Sequence, residues 1–228
     1  AHTLQEILSR TPVKTVIMTQ LGDLFPFPKR PLVNFVVKRV KKMVPAWDIP
    51  GAMPFRQALR EGAGQTLADV PLNHDDLAFL QYTGGTTGVS KGAMLTHGNL
   101  VANLQQASAW LSSGFKPGEE IAIAPLPLYH IFSLTVNGLA FMKTGVHNIL
   151  ITNPRDIPGF VKELGKVRFT AIIGVNTLYN GLLHAPGFEW LDFSALKLSG
   201  SGGMAVQRAV AENWRRVTGT PLIEGYGL

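Results

Sequence analysis

Short apolar runs and amphipathic stretches alternate along the second half of the chain. The apolar runs predict strands at 120–124, 148–152, 169–174, 196–199 and 221–224, and the amphipathic stretches predict helices at 131–142, 158–165, 177–183 and 205–218. Strands separated by single helices are typical of βαβ crossovers. The chain is therefore predicted to have an α/β fold, with a mainly parallel sheet covered by helices on both faces.

The first part of the chain shows a less regular pattern. Thr3 and Glu6 form a capping box that predicts a short helix, a β-branched run predicts a strand at 14–19, and helices are predicted at 31–44 and 54–61. The polar segment 62–76 predicts a connecting loop. We therefore divide the chain into an N-terminal portion, 1–76, and a ligand-binding portion, 77–228.

The ligand-binding portion opens with two further strands and a helix. An apolar run predicts a buried strand at 77–82, a second strand is predicted at 93–96, and a helix is predicted at 99–111. On that helix one face carries Leu100, Leu104, Ala107 and Leu111.

Positive charge is concentrated in one segment of the N-terminal portion. The chain has 21 Lys and Arg against 15 Asp and Glu, a formal charge of +6, and six of the basic residues lie between Lys29 and Lys42 with no acid among them. The rest of the chain is balanced, which argues against nucleic acid as a partner. Two interpretations of the predicted basic helix stay open. It binds an anionic membrane surface or acidic partner, or its lysine stems cover its own apolar side.

Composition excludes several kinds of protein. A charged share of 16% with 46% apolar residues excludes a disordered chain. The sequence has no cysteine, which excludes disulfides and a cysteine nucleophile and fits a reducing compartment. Two uncharged runs, 121–142 and 170–188, approach membrane-spanning length, but their polar and helix-breaking residues favour strand–loop–helix units. Since the chain opens without Met and without a signal-peptide pattern, we expect a fragment of a cytoplasmic protein.

The segment from Tyr82 to Gly92 carries the clearest chemical signal. Its sequence, YTGGTTGVSKG, contains four glycines, three threonines and Lys91. Glycines let successive backbone N–H groups face a closely approaching anion, and hydroxyls and a lysine add further donors. It is not a Walker A loop, because the Gly-Lys-Ser/Thr triplet is missing. A polyphosphate ligand is predicted, and a flexible hairpin turn is the alternative.

This loop and four further motifs resemble the adenylate-forming enzymes, the family of acyl-CoA synthetases, luciferases and nonribosomal peptide adenylation domains. The loop matches the family pattern except at Gly84, where the family has Ser or Thr, and at Ser90, where it has Pro. The other motifs are LTHGNL at 95–100, PLYHIF at 127–132, SGSGGM at 199–204 and EGYGL at 224–228. Segments 77–81 and 150–164 most resemble bacterial long-chain fatty acyl-CoA synthetases. The resemblance implies part of the large N-terminal domain of this family.

The resemblance also implies a role for individual residues. Lys91 and His130 are the expected catalytic residues, with Lys91 at the phosphates of ATP and His130 near the acyl carboxylate. Thr83 is the expected contact to Mg²⁺. The expected ATP-binding residues, among which Gly202 and Gly203 line the adenine and Tyr226 stacks on it, are Thr83, Gly84, Gly85, Thr86, Thr87, Gly88, Ser90, Lys91, Gly202, Gly203, Gly225 and Tyr226.

The implied reaction activates a long-chain fatty acid with ATP and Mg²⁺ to an acyl adenylate, which is then converted to a thioester with CoA. Neither step needs an enzyme nucleophile, so catalysis is expected to come from positioning and charge neutralisation. The apolar helix after His130 is expected to form the wall of an acyl channel.

Three alternatives remain at this point: a nucleotide-binding module without turnover, an adenylate-forming enzyme with another carboxylic acid, and a peripheral membrane-binding domain. The family's C-terminal domain, with its catalytic lysine, is expected to lie outside this chain. We therefore predict that the chain alone binds nucleotide weakly and is inactive.

Overall fold

The computed structural model describes residues 2–83, 90–112 and 114–227. The chain divides into two compact units, 1–70 and 71–228. The boundary falls inside the polar segment 62–76, whose side chains are exposed from 62 to 75.

The first unit, 1–70, combines short helices with a two-stranded parallel sheet. Its helices are α1 (His2–Ile7), α2 (Lys29–Phe35) and α3 (Phe55–Gly62), and its strands are β1 (Ile17–Met18) and β2 (Met53–Pro54). A 3-10 turn at Leu8–Arg10 extends α1, and a π-helical stretch at Val36–Val40 extends α2. The extended α2 is anchored by Asn34, whose Oδ1 accepts the N–H of Gly22 at 2.7 Å.

The basic helix differs from its prediction at both ends. It spans 29–40 rather than 31–44, and Pro31 lies in its first turn, where the missing N–H costs no helical hydrogen bond. Lys42 lies beyond the end, with a φ of +50° that is left-handed and not helical. The capping box predicted at Thr3 is wrong, since α1 already includes this residue.

The second unit, 71–228, begins with an antiparallel pair of strands, β3 (Leu77–Thr83) and β4 (Lys91–Thr96), followed directly by helix α4 (His97–Leu111). Thr96 caps α4: its Oγ1 accepts the N–H of Asn99 at 3.2 Å, and Asn99 Oδ1 accepts the N–H of Thr96 at 3.0 Å. The predicted inner face of α4 is half-buried at all four positions.

The prediction that β3 is a buried strand is wrong. Leu77, Leu80 and Tyr82 are exposed. Among the described residues β3 pairs only with β4, in a sheet of two strands, so its side chains lack the cover that a central strand receives.

The main sheet of the second unit has five strands: β5 (Ile121–Ala124), β6 (His147–Leu150), β7 (Ala171–Gly174), β8 (Leu198–Ser201) and β9 (Leu222–Glu224). Their order is β6-β5-β7-β8-β9, and every pair is parallel. The connections are α5 (Ile131–Ser133) with a π-helical stretch at Leu134–Ala140 and α6 (Phe141–Lys143), then α7 (Ile157–Leu164), α8 (Asn176–Leu183) and α9 (Arg208–Thr218). The predicted α/β fold is confirmed.

Helices cover both faces of this sheet. The chain steps from β5 to β6 in one direction and then crosses to β7 on the other side of β5. Since such crossovers are right-handed, the connecting helices fall on opposite faces. Helices α7, α8 and α9 pack on one face around Phe160, Tyr179 and Trp214. The helical segment 131–143 packs on the other, where Phe141 is fully buried.

No helix within the described ranges has both the length and the apolar character needed to cross a membrane. The uncharged runs 121–142 and 170–188 instead fold into β5 with its following helix and β7 with α8, as the sequence predicts.

Candidate functional site

The carboxyl ends of three neighbouring strands enclose a pocket of about 200 Å³. Ligands of open α/β sheets bind at this edge, close to the point where the strand order reverses. Two motifs that are distant in the sequence, 127–132 and 199–204, meet in this pocket. The lining residues are Leu126, Pro127, His130 and Phe132 after β5, Val175 after β7, and Gly202, Gly203 and Met204 after β8.

His130 lies at the pocket wall and caps the amino end of α5. Its ring Nδ1 accepts the backbone N–H of Phe132 at 3.3 Å, and its backbone N–H donates to the carbonyl of Pro127 at 3.0 Å. A neutral ring that accepts at Nδ1 carries its proton on Nε2. Nε2 is therefore the ring atom that can donate to an oxygen of a ligand.

The turn after β8 brings bare backbone to the pocket. A Cβ at Gly202 would lie 2.9 Å from Cζ of Phe132 and 3.2 Å from the carbonyl oxygen of Gly225, so glycine alone fits without displacing a neighbour. Gly203 has a φ of +76°, which also favours glycine. The N–H of Gly225 donates to the carbonyl of Ser201 at 2.7 Å, which ties the start of the 224–228 motif to the same turn. A planar ring can approach such a surface closely.

Two buried aromatic residues support β8 beneath this turn. The Tyr179 hydroxyl donates to the carbonyl of Gly200 at 2.5 Å, and Trp214 Nε1 donates to Ser199 Oγ at 2.9 Å. The two rings meet edge to face, with centroids 4.6 Å apart. Burial raises the pKa of Tyr179, so its hydroxyl stays a donor. The glycine turn therefore rests on a rigid, hydrogen-bonded base.

The predicted phosphate loop is described only at its two ends. Lys91 is the first residue of β4 and pairs opposite Thr83, the last residue of β3. The side chains of Ser90 and Lys91 are exposed. Of Thr83 only the backbone is described, and the predicted loop residues Gly84, Gly85, Thr86, Thr87 and Gly88 lie outside the described residues.

The predicted adenine contacts fall into two groups. Gly202 and Gly203 line the pocket together with His130, whereas Tyr226, which follows β9, is 92% exposed and does not belong to the described lining. Lys91 is likewise outside that lining.

In the part of the chain that the structure describes, no cluster of three or more His, Asp or Glu side chains is arranged to hold a metal ion.

Sequence reasoning gave no role to four apolar lining residues, of which Pro127 and Met204 lie inside the motifs it identified and Leu126 and Val175 lie outside them. Each lies within three residues of a strand's carboxyl end. Their position after a strand in an α/β pattern is the signal that indicates them.

The fold and the candidate site together define an α/β domain with a cleft at the carboxyl ends of its strands, one wall of which is a glycine turn. The chain belongs to the AMP-binding enzyme family, whose model matches residues 1–228. The resemblance to adenylate-forming enzymes is thereby confirmed.

Two curated relatives and one solved structure illustrate this membership. The chain is 55% identical over 228 residues to a long-chain-fatty-acid–CoA ligase of Escherichia coli O157:H7, covering 100% of this chain and 41% of the relative. It is 34% identical over 218 residues to the ligase of the same name in Bacillus subtilis strain 168, covering 95% of this chain and 38% of the relative. The inhibitor-bound N-terminal domain of FACL13 from Mycobacterium tuberculosis has the same fold, with a TM-score of 0.68 at 21% identity, covering 100% of this chain and 54% of that domain.

Proposed function

We propose that the protein containing this chain is a long-chain fatty acid–CoA ligase that uses ATP and releases AMP. The observation that carries the proposal is the 55% identity to the Escherichia coli ligase along all 228 residues. The chain spans 41% of that relative's length, so the activity is proposed for the whole protein and not for this chain alone.

The proposed reaction has two steps. An oxygen of the fatty carboxylate attacks the α-phosphorus of ATP, and pyrophosphate leaves with the electron pair of the broken P–O bond. The thiol of CoA, as its thiolate, then attacks the carbonyl carbon of the acyl adenylate, and AMP leaves. Mg²⁺ enters this proposal only as the ion that accompanies the phosphates of ATP.

The chain's own residues position and neutralise the reactants. The fatty carboxylate and the polyphosphate repel each other, and a lysine at the phosphates together with N–H donors lowers that repulsion. We assign the neutralisation of the phosphates to Lys91 and to the backbone N–H groups of 83–91. His130 Nε2 would hold the carboxylate, while Gly202 and Gly203 would face the adenine.

The small size of the pocket supports the proposal that it holds only the reacting end of the fatty acid and that the acyl chain lies elsewhere in the protein. At about 200 Å³ the pocket is smaller than most ligand sites, which range over roughly 300–1,000 Å³. It suits the reacting end of an acid and not a long acyl chain. Phe132, at the start of the helical segment 131–143, is the residue from which we expect the acyl path to continue.

Pyrophosphate exchange tests the proposal. The protein, extended to the full length of its relatives, is given ATP, Mg²⁺, labelled pyrophosphate and one carboxylic acid, in a series from acetate to palmitate with amino acids as controls. We expect exchange with the long acids and thioester formation when CoA is added. Exchange with amino acids instead would show that the protein is an adenylate-forming enzyme with another substrate. ATP binding without any exchange would show that it is a nucleotide-binding module without turnover.

Substituting Lys91 with Ala is expected to weaken ATP binding by about 1–3 kcal/mol, the range for a charged hydrogen-bond partner removed. Isothermal titration of the 228-residue chain measures this directly. Lys162→Ala is the matched control. Lys162 is also an exposed lysine, but it lies on α7, and among the described residues it neither forms a salt bridge nor lines the pocket. Equal ATP affinity in wild type and Lys91→Ala would remove Lys91 from the site.

We also propose that the segment from Lys29 to Val44 attaches the protein peripherally to an anionic membrane surface, the cytoplasmic face of the membrane in a bacterium. Five of the six basic side chains of this segment are exposed, and that of Arg30 is half-buried. The same segment exposes the apolar side chains of Leu32, Phe35, Val40 and Met43. Cations next to exposed apolar side chains suit the interface of an anionic bilayer.

Reversing the charge at Lys38, Arg39, Lys41 and Lys42 to Glu is expected to abolish co-sedimentation with phosphatidylserine vesicles. Each basic residue near such a surface contributes about 1 kcal/mol, and added salt screens this attraction. The matched control reverses four exposed cations elsewhere, Arg155, Lys162, Arg215 and Arg216, which changes the net charge equally. If both variants lose binding equally, net charge and not this segment is responsible.

A further inference from the structure

A small polar cluster is buried beneath the helical segment 131–143. The side chains of Ser133 and Asn137 are both 0% exposed, and Asn148 on β6 is half-buried beside them. Burying an amide is costly unless its donors and acceptors find partners. An apolar residue would fill the same space without this requirement, so the presence of the cluster calls for an explanation beyond packing.

The three side chains satisfy one another and reach the backbone on both sides. Asn137 Nδ2 donates to Asn148 Oδ1 at 3.1 Å, and Asn148 Nδ2 donates to the carbonyl of Asn137 at 2.9 Å. Ser133 Oγ lies 3.3 Å from Asn137 Oδ1 and 3.2 Å from the carbonyl oxygen of Leu126, so its proton is shared between two acceptors. The cluster therefore links β6, the middle of the helical segment and the loop after β5.

Asn137 lies in the π-helical stretch Leu134–Ala140. In a π-helix the hydrogen bonds span one more residue than in an α-helix, and such stretches are frequent at functional sites. Here the side chain of Asn148 donates to the carbonyl of Asn137, within this stretch. A hydrogen bond from a neighbouring strand thus supports the unusual helix directly at the position of Asn137.

The end of the cluster reaches the pocket. Leu126, whose carbonyl accepts from Ser133, lines the pocket, and so do Pro127, His130 and Phe132 on the same loop and the helix start. The opposite wall is held differently, since the N–H of Gly225 bonds the carbonyl of Ser201 in the turn that carries Gly202 and Gly203. The cluster can therefore affect one wall of the pocket and leave the other in place.

We propose that Ser133, Asn137 and Asn148 are positioning residues for the His130 wall, the wall that receives the carboxylic acid. The inference rests on the proposed function, because it assigns this wall to the acid and the glycine wall to ATP. The cluster touches neither reactant. It fixes the carbonyl of Leu126 and through the loop 126–130 the direction in which His130 Nε2 points.

Steady-state kinetics of the full-length protein with palmitate, ATP and CoA tests this assignment. For Ser133→Ala we expect kcat/KM for palmitate to fall about tenfold, since one buried hydrogen bond no longer holds the loop. The KM for ATP should change less than twofold. Thr220→Val is the matched control, because Thr220 Oγ1 also makes a buried hydrogen bond to a carbonyl, that of Leu196 at 3.1 Å, at the opposite edge of the sheet. It should lower the melting temperature similarly and leave both kinetic constants unchanged.

A second variant guards against misfolding of the first. Asn148→Ala, on the half-buried side of the cluster, should produce the same selective loss, and the double variant with Ser133→Ala should lose less than the product of the two single effects. Lower stability with unchanged kinetics, or equal losses for palmitate and ATP, would overturn the positioning role. A wild-type protein that does not turn over palmitate would instead overturn the proposed function, and the inference with it.

Discussion

Replacing Lys197 with Met is expected to lower the free energy of unfolding of the second unit by about 3 kcal/mol. Lys197 Nζ lies 2.6 Å from Oε1 of Glu120, a carboxylate whose side chain is 1% exposed. The N–H of Lys116 also donates to this oxygen, at 2.8 Å. Removing one partner of a buried pair costs about 3–5 kcal/mol because the other charge stays buried, and the lower end applies since Lys197 is 41% exposed.

Lys166→Met provides the control for this prediction. Lys166 Nζ lies 2.6 Å from Glu163 Oε1, the same separation, but both of these side chains are more than half exposed. Exposed pairs contribute at most about 1 kcal/mol. Urea denaturation followed by tryptophan fluorescence measures both variants, and equal midpoints for the two would show that burial of Glu120 does not govern the cost.

The dependence on pH gives this prediction a second, independent signature. Burial alone would raise the pKa of Glu120, but the hydrogen bonds from Lys116 and Lys197 and the charge of Lys197 outweigh it and hold the pKa below its ordinary value. In wild type the stabilisation is therefore present above the ordinary carboxyl pKa and is lost as the pH falls below it. In Lys197→Met the hydrogen bond and the charge of Lys197 are lost while those from Lys116 and Thr170 remain, so the pKa of Glu120 rises relative to wild type and the folded variant takes up a proton more readily. The difference in stability between the two proteins should be largest near pH 7 and shrink toward acid pH.

Replacing Gly202 with Val is expected to weaken ATP binding by about 100-fold, or about 2.8 kcal/mol. The first added carbon already lies 2.9 Å from Cζ of Phe132, and both residues line the pocket. The new side chain must therefore displace that ring or occupy space in a pocket of about 200 Å³. Titration with ATP at equal protein concentration measures the loss.

Gly200→Ala separates loss of the pocket from general crowding in β8. A Cβ at Gly200 would lie 2.8 Å from Cδ1 of Ile173, an equally close approach that falls in the core and not in the pocket. This variant should lower the melting temperature and keep its affinity for ATP. If Gly202→Val binds ATP like wild type, the turn after β8 does not face the nucleotide.

The regular part of the fold could be predicted because its signals are local. All five strands of the main sheet and the helices between them follow from alternating apolar runs, with ends displaced by no more than a few residues. The exposure of β3 could not be predicted, because an apolar run has the same composition whether a second sheet covers it or not. The π-helical stretch at Leu134–Ala140 could not be predicted either, since the hydrogen bond that supports it comes from Asn148 on β6, which lies outside the helix's own sequence pattern.

The site could be predicted only where a motif identifies its own residues. Gly202, Gly203 and His130 were expected, and the structure brings them into one pocket. Their meeting depends on the strand order, in which β5 lies between β6 and β7, so that the loop after β5 comes close to the turn after β8. The positioning role proposed for Ser133 and Asn137 could not be predicted from the sequence. A buried serine or asparagine is recognisable only by its hydrogen-bond partners, and these are known only once the chain has folded.

The pocket between β5, β7 and β8 has a consequence for how the chain folds. Its walls come from loops that start at Ala124, Gly174 and Ser201, so no nascent chain that ends before the third of these strands can form it. Pairing of strands so far apart in sequence is slow, because chain entropy is lost before the contacts form. Any ligand that binds in this pocket can stabilise only molecules in which all three strands have paired, so its concentration favours completed sheets over partly assembled ones.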